Sequence, residues 1–435
     1  MPTPPTFATS RTDIAGIRLS DLVRRFGTPT FVYDAAVILS RLRRLAAFDY
    51  VRYAQKACSN LAVLDLMHRH GALVDVVSAG EIRRALAAGY SSQGSPPPIV
   101  YTADIFDAEA LPLCVEERIH VNCGSPDMID QFGSLAPGRE ISLRINPGFG
   151  HGHSRKTNTG GKQSKHGIWH EQLGDCLARA QRHRLSVTGL HMHIGSGTDL
   201  EHLSKVCGAM EEAAGWLAAD RHRSGALVGD TPGLTWISAG GGLPVVYRPG
   251  DQQVDLDAYY ALWDATRKRL QAKLGHPLRL EIEPGRYLVA ESGYLVTEIR
   301  AIKRQADNTF YLVDAGFNNL ARPILYGAYH PISIVPADGD THRPEQEVIL
   351  GGPLCESGDI FTQEEGGVVV TRRLPEAKVG ELLVIECAGA YGFVMGSNYN
   401  SRPLAAEVLI QDGQAHLVRR RQSFEDLIRG ETIPE

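Results

Sequence analysis

The chain reads as an α/β protein, a parallel (β/α)8 TIM barrel joined to a second, mostly antiparallel β-domain. Three observations lead there. Eight short β-rich runs alternate with segments of helical spacing across about 250 residues, the usual size of such a barrel. Near residue 290 the alternation gives way to strand-like runs separated by turns. Residues able to do chemistry cluster just past the ends of six of the eight runs, where barrel enzymes build their sites.

The eight runs are Val51–Ala54, Leu73–Val77, Ile99–Thr102, Ile119–Asn122, Ile141–Ile145, Val187–His193, Leu234–Ser238 and Leu278–Ile282. Between them, apolar residues recur at helical spacing, as at Leu61, Leu64 and Met67, or Leu203, Val206, Met210, Ala213 and Leu217. An open doubly wound sheet is the alternative reading of the same alternation. Beyond the barrel, Tyr294–Ile302, Thr309–Val313, Glu347–Ile349, Gly367–Thr371, Glu381–Glu386 and Leu404–Ile410 are strand-like. Pro29–Asp34 also reads as a strand and could belong to that same β-domain. The expected division is a barrel over 36–290 and a discontinuous β-domain over 1–35 plus 291–435.

Composition narrows the function classes. The chain has 435 residues, 43% hydrophobic and 22% charged, with a net charge of −5. Neither a basic stripe nor a charge block suggests nucleic acid or an anionic membrane. No run approaches the roughly 18 apolar residues of a membrane span. The opening Met1-Pro-Thr-Pro-Pro5 lacks a basic segment followed by an apolar one, and the seven cysteines are scattered without CxxC pairs. A cytoplasmic protein with reduced thiols and no metal site is expected. The glycine-rich stretch from Gly148 to Gly167 suits either a mobile lid or a merely flexible surface loop.

The residues past the strand ends are unusual as a set. The first run leads into Gln55-Lys56-Ala57, the second into Ser78-Ala-Gly-Glu81 and the fifth into Asn146. The sixth leads into His193-Ile-Gly-Ser196, the seventh into Gly240-Gly241-Gly242 and the eighth into Glu283-Pro284-Gly285-Arg286. A lysine is ordinarily a solvated surface cation. At a barrel mouth, partial desolvation would make Lys56 a useful nucleophile. His193 alone would ordinarily be a hydrogen-bonded core histidine, and three glycines alone a tight turn. Beside Ser196, however, Gly240–Gly242 form a plausible phosphate cradle, because glycine lets backbone N–H groups approach an anion closely. A lysine for a Schiff base, a phosphate nest, an aromatic plate and a carboxylate for a ring nitrogen together describe a pyridoxal 5′-phosphate site. Glu283 would keep the pyridine nitrogen protonated and the ring a strong electron sink.

At these residues the sequence resembles the fold-type III pyridoxal-phosphate decarboxylases, which share the alanine racemase-like barrel, and among them the diaminopimelate decarboxylase family. The stretches that carry the resemblance are Tyr53-Ala-Gln-Lys56-Ala, Gly189-Leu-His-Met-His-Ile-Gly-Ser-Gly197, Glu283-Pro-Gly-Arg286, Gly352-Pro-Leu-Cys-Glu-Ser-Gly-Asp359 and Gly389-Ala-Tyr-Gly392. It implies a homodimer with active sites at the subunit interface. It also implies Lys56 as the Schiff-base lysine, His193 stacked on the pyridine ring, and phosphate held by Ser196, Gly240–Gly242 and the backbone of Glu283–Arg286. Tyr391 matches a tyrosine touching cofactor and substrate, and Arg286, Arg322, Tyr326 and Glu356 match substrate-binding positions. Cys355 matches a catalytic thiol supplied by the other subunit as proton donor.

Charge bears on the substrate. Diaminopimelate carries an ammonium and a carboxylate at its far end, so its site needs an acid and a cation there. Glu356 supplies the first, and Arg286 and Arg322 the second. Ornithine or arginine would need acids but no distal arginine. An alanine racemase would place an arginine near the pyridine nitrogen, where this chain has Glu283. The expected function is therefore that of a carboxy-lyase converting meso-2,6-diaminopimelate to L-lysine and CO2, the last step of lysine biosynthesis. The rivals are decarboxylation of another basic amino acid and a non-catalytic cofactor-binding protein.

Overall fold

The computed structural model describes residues 7–150, 159–195, 200–223 and 233–434, the side chains of 218–223 excepted. The chain divides into two compact units. One comprises Arg41–Pro244 with Val254–Tyr287; the other comprises Met1–Ser40, Val245–Gln253 and Leu288–Glu435. The short segment Val245–Gln253 thus falls in the second unit, inside the range the sequence assigns to the barrel.

The first unit is a closed parallel barrel. Its strands are Tyr50–Ala54, Leu73–Val76, Ile99–Ala103, His120–Cys123, Glu140–Asn146, Ser186–His191, Trp236–Ser238 and Arg279–Ile282. They pair in sequence order, the eighth returns to the first through Glu281↔Tyr50 and Ile282↔Val51, and all neighbours are parallel. Closure rules out the open doubly wound alternative. The runs are apolar because each strand is covered on both faces, by barrel filling inside and helices outside.

Helix starts are set where strands end. The Asn60 side chain accepts the Ala62 N–H and begins the helix Leu61–Arg69, while Ser78 accepts the Glu81 N–H and begins Ala79–Ala87. Among the described residues no helix is long and apolar enough to cross a membrane.

The seam between the eighth and first strands holds a buried ion pair. Arg52 Nη2 lies 3.1 Å from both Glu281 carboxylate oxygens, and Arg52 Nη1 donates to the Pro97 carbonyl at 2.8 Å. Both side chains are almost wholly enclosed. Glu281 is committed to this seam and not to the mouth, although the sequence places it beside Glu283.

The second unit is a mostly antiparallel sheet. Its main path runs Arg372–Pro375, Glu345–Gly351, Asn308–Val313, Gly293–Gln305, Thr30–Asp34, Ala406–Gln411 and Gln414–Arg419; Leu382–Ile385 pairs with the long strand Gly293–Gln305, and Ile332–Val335 pairs with Leu382–Ile385. Thr30–Asp34 sits inside this sheet, antiparallel to Gly293–Gln305 and parallel to Ala406–Gln411. The N-terminal segment is therefore part of the β-rich unit. Its helix Leu19–Phe26 buries Leu19 and Leu22 against Val32, Val296, Val384 and Val408. Gly367–Thr371, expected to be a strand, forms only an isolated bridge between Gln363 and Val369.

Candidate active site

Lys56 lies in a single 3-10 turn, Gln55–Ala57, directly after the first barrel strand. The turn is tied on several sides. The Tyr53 hydroxyl donates to the Cys58 carbonyl at 2.8 Å, the Gln55 amide donates to the Glu81 carbonyl at 2.9 Å, and the Ala54 N–H donates to the Pro284 carbonyl at 3.2 Å. Gly285 permits this approach, since a Cβ there would stand 3.0 Å from the Ala54 carbonyl oxygen. The lysine residue itself is exposed.

The acid at the end of the eighth strand is held in place and held ionised. Glu283 Oε1 accepts the Ser238 hydroxyl at 2.8 Å, and Glu283 Oε2 lies 2.8 Å from His191 Nε2. Burial pushes the carboxyl up, but His191, the Ser238 hydroxyl and Arg52 outweigh it and hold the group at about 2. Asp75, on the second strand, goes the other way. Burial and the Glu283 charge raise it to about 7, against the pull of Lys56 and a Thr102 hydrogen bond.

His193 sits beside the glycine turn. Its Nδ1 accepts the Gly241 N–H at 3.3 Å, which leaves the proton of the neutral ring on Nε2. Burial and the charges of Arg144, Lys56 and His191 keep the ring neutral by lowering its pKa well below the ordinary value, with Glu283 opposing. The turn needs its glycines. Gly240 and Gly242 have φ of +63° and +95°, and Cβ atoms there would stand 2.4 Å from the Met192 carbonyl and 2.1 Å from the Gly195 carbonyl. The Gly240 N–H donates to Ser238 Oγ at 3.1 Å, linking the turn to the hydroxyl that orients Glu283. Ser196 lies outside the described residues.

The remaining candidates belong to the β-rich unit. Arg322 opens the short helix Arg322–Tyr326 and is buried, while Tyr326 at its end is half-buried. Cys355 and Glu356 are both exposed on a turn fixed by Asp359, whose carboxylate accepts the Leu354 and Phe317 N–H groups at 2.8 and 2.7 Å. The Cys355 N–H donates to Asn400 Oδ1 at 2.8 Å. Tyr391 takes a left-handed backbone, φ +57°, next to Gly392, where a Cβ would meet the Ala388 carbonyl at 2.4 Å.

These residues fit pyridoxal phosphate. The barrel unit brings together a lysine on a braced turn, a backbone cradle that only glycine can form, an uncharged imidazole and a carboxylate held towards its ionised form. A family profile described as pyridoxal-dependent decarboxylase, pyridoxal binding domain, matches residues 38–290. The diaminopimelate decarboxylase of Escherichia coli (strain K12) is 52% identical over 432 residues, covering 99% of this chain and all of that one. The chain belongs to the diaminopimelate decarboxylase family.

Other comparisons agree with membership of the diaminopimelate decarboxylase family. The Streptomyces coelicolor member is 52% identical over 420 residues, 96% of this chain and 92% of its own. A crystal structure of a diaminopimelate decarboxylase superposes with a TM-score of 0.89 at 52% identity, covering 97% and 98% of the two chains. That from Helicobacter pylori complexed with L-lysine gives 0.82 at 30%, covering 94% and 98%. Sequence pattern alone assigns no role to His191, Ser238, Asp75 or Arg144. His191 and Ser238 were visible as polar residues closing barrel strands. Asp75 was visible as one acid inside the apolar run Leu73-Val-Asp-Val-Val77.

Proposed function

We propose that this protein decarboxylates meso-2,6-diaminopimelate to L-lysine and CO2 with pyridoxal 5′-phosphate as cofactor, the last step of lysine biosynthesis. The observation that carries the reading is the Glu283 carboxylate, kept ionised at the end of the eighth strand by His191 and Ser238. When bound, pyridoxal phosphate supplies an electron sink for the pair left behind as the substrate's α-carboxylate departs. Glu283 holds the proton on the ring nitrogen that makes the sink effective. Lys56 would hold the cofactor through its side-chain amine. His193 offers the ring an uncharged face. Gly240, Gly241 and Gly242, with the backbone of Glu283, Pro284, Gly285 and Arg286 and the hydroxyl of Ser196, take the phosphate.

The β-domain supplies the substrate contacts in this reading. Glu356 takes the distal ammonium, Arg286 and Arg322 take the distal carboxylate, Tyr326 contacts the substrate, and Tyr391 touches cofactor and substrate. Cys355 delivers a proton to the decarboxylated carbon. The functional domains are a barrel over 36–290 and a β-domain over 1–35 plus 291–435. The assembly is a cytoplasmic homodimer in which Cys355 comes from the second subunit. Its exposure on a rigid turn supports that placement.

The test is lysine release from meso-diaminopimelate with added pyridoxal phosphate, against ornithine and arginine as competing substrates. CO2 from ornithine or arginine, but not from diaminopimelate, would overturn the substrate. Borohydride should fix cofactor to the wild-type chain and not to Lys56→Ala. Mixing Lys56→Ala with Cys355→Ala chains should restore roughly a quarter of wild-type activity if sites are shared across a two-fold dimer, and none if each chain builds its own site.

A further inference from the structure

Arg322 is held by a ring that cannot cancel its charge. Its Nη1 lies 2.9 Å from His330 Nε2, and both side chains are buried. A guanidinium only donates, so Nε2 must be the acceptor. The proton of the neutral ring then sits on Nδ1, which donates to the Glu386 carbonyl at 2.9 Å. This places both ring nitrogens in directed hydrogen bonds and selects one tautomer.

The support behind the ring is itself fixed. Glu386 Oε1 accepts the Ser333 hydroxyl at 2.9 Å, Arg11 grips the carboxylate at 3.1 Å through Nε and Nη2, and the Glu386 N–H donates to the Pro331 carbonyl at 2.8 Å. On another side, the Arg322 guanidinium lies 5.0 Å from the centre of the Tyr247 ring. That ring meets His330 edge-on, with centres 5.6 Å apart. Tyr247 lies in the segment Val245–Gln253, which explains why this excursion belongs with the β-rich unit.

We propose that His330 is a positioning residue that sets Arg322 to receive the substrate's distal carboxylate, and so sets the enzyme's preference for substrates that carry one. The inference rests on the reading of Arg322 as a substrate contact. An aspartate or glutamate in place of His330 would orient the guanidinium but neutralise it. A neutral imidazole orients it without adding a countercharge of its own.

The experiment uses the holoenzyme with three ligands. L-lysine keeps the distal carboxylate and cadaverine lacks it, so together they separate contact at that end from general damage. His330→Leu is expected to raise KM for meso-diaminopimelate and weaken inhibition by L-lysine by about tenfold to a hundredfold, as for loss of a hydrogen bond to a charged group. It should leave kcat within about threefold and cadaverine binding unchanged, because only an oriented charge is lost. His330→Gln, which keeps an acceptor, should recover most of the lysine affinity. Equal weakening of L-lysine and cadaverine, or no weakening of either, overturns the proposal. If His330→Leu fails to fold, 15N spectra of histidine-labelled wild-type protein decide. The expected signal is a neutral Nδ1–H ring, identified by its loss in His330→Gln, and an Nε2–H ring overturns the proposal. Arg322→Met separates the two layers. If it leaves L-lysine binding intact, the assignment of Arg322 itself is wrong. If it weakens binding while His330→Leu does not, only the positioning role fails.

Discussion

His191 Nε2 stands 2.8 Å from Glu283 Oε2, with both side chains enclosed in the barrel. The pairing converts a buried carboxyl, which isolation would neutralise, into one that stays charged. Glu283→Gln keeps the shape and removes the charge. Steady-state lysine release should show kcat lowered by about 10²- to 10³-fold with little change in KM. With the carboxyl held at about 2, the acid limb of the wild-type pH–rate profile comes from other groups. A limb above about pH 4 that disappears in Glu283→Gln would contradict this.

Asp75 provides a stability test with a defined sign. Its folded-state pKa of about 7 lies above the ordinary 3.8. Between those values the folded state keeps a proton that the unfolded state releases, so stability falls as pH rises through the interval and levels off above it. Asp75→Asn stays neutral throughout and should lose this slope. In denaturant melts of cofactor-free protein, its stability relative to wild type should improve on the order of 2–4 kcal/mol between about pH 4 and pH 8. Parallel curves for the two proteins would remove Asp75 as the titrating group.

Cys355 should separate activity from stability. Its side chain is exposed, so Cys355→Ala should change unfolding free energy by no more than about 0.5 kcal/mol. Turnover should drop by about 10²-fold or more if the thiol supplies the product proton. Undiminished turnover would sink the proton-donor role.

Gly242 tests the phosphate cradle. A Cβ there would meet the Gly195 carbonyl oxygen at 2.1 Å, on a backbone with φ +95°. Gly242→Ala must displace the turn, and the dissociation constant for pyridoxal phosphate should rise at least about tenfold. Absorbance titration of cofactor-free protein reads the change, with far-UV circular dichroism expected to match wild type.

All eight barrel strands were legible because burial on both faces writes itself as short apolar runs. Lys56, His193, Gly240–Gly242 and Glu283 stand out as candidates because they close those runs. The residues that tune the site were less visible. His191 and Ser238 acquire meaning only when their strands bring them to Glu283, and Arg52 shows its partner only at the closed seam. In the β-domain, Gly367–Thr371 misled through its valines, although Val368 and Val369 are exposed and follow two glycines of positive φ. Ile332–Val335, hidden between Pro331 and Pro336, and the polar edge strand Gln414–Arg419 carried too weak a pattern to stand out.

The place of Thr30–Asp34 inside its sheet has a consequence for how the protein is made. The Tyr33 hydroxyl donates to Glu407 Oε1 at 2.7 Å across 374 positions of sequence. At a synthesis rate of about 5–20 residues per second, the strand therefore waits tens of seconds for its parallel neighbour. The barrel strands emerge in the meantime, each beside the last, while the N-terminal strand stays an open edge able to pair with another chain. A chaperone that shields the first forty residues would thus speed maturation more than one acting on the barrel. Chains truncated before Ala406 should aggregate through their beginnings, not through their cut ends.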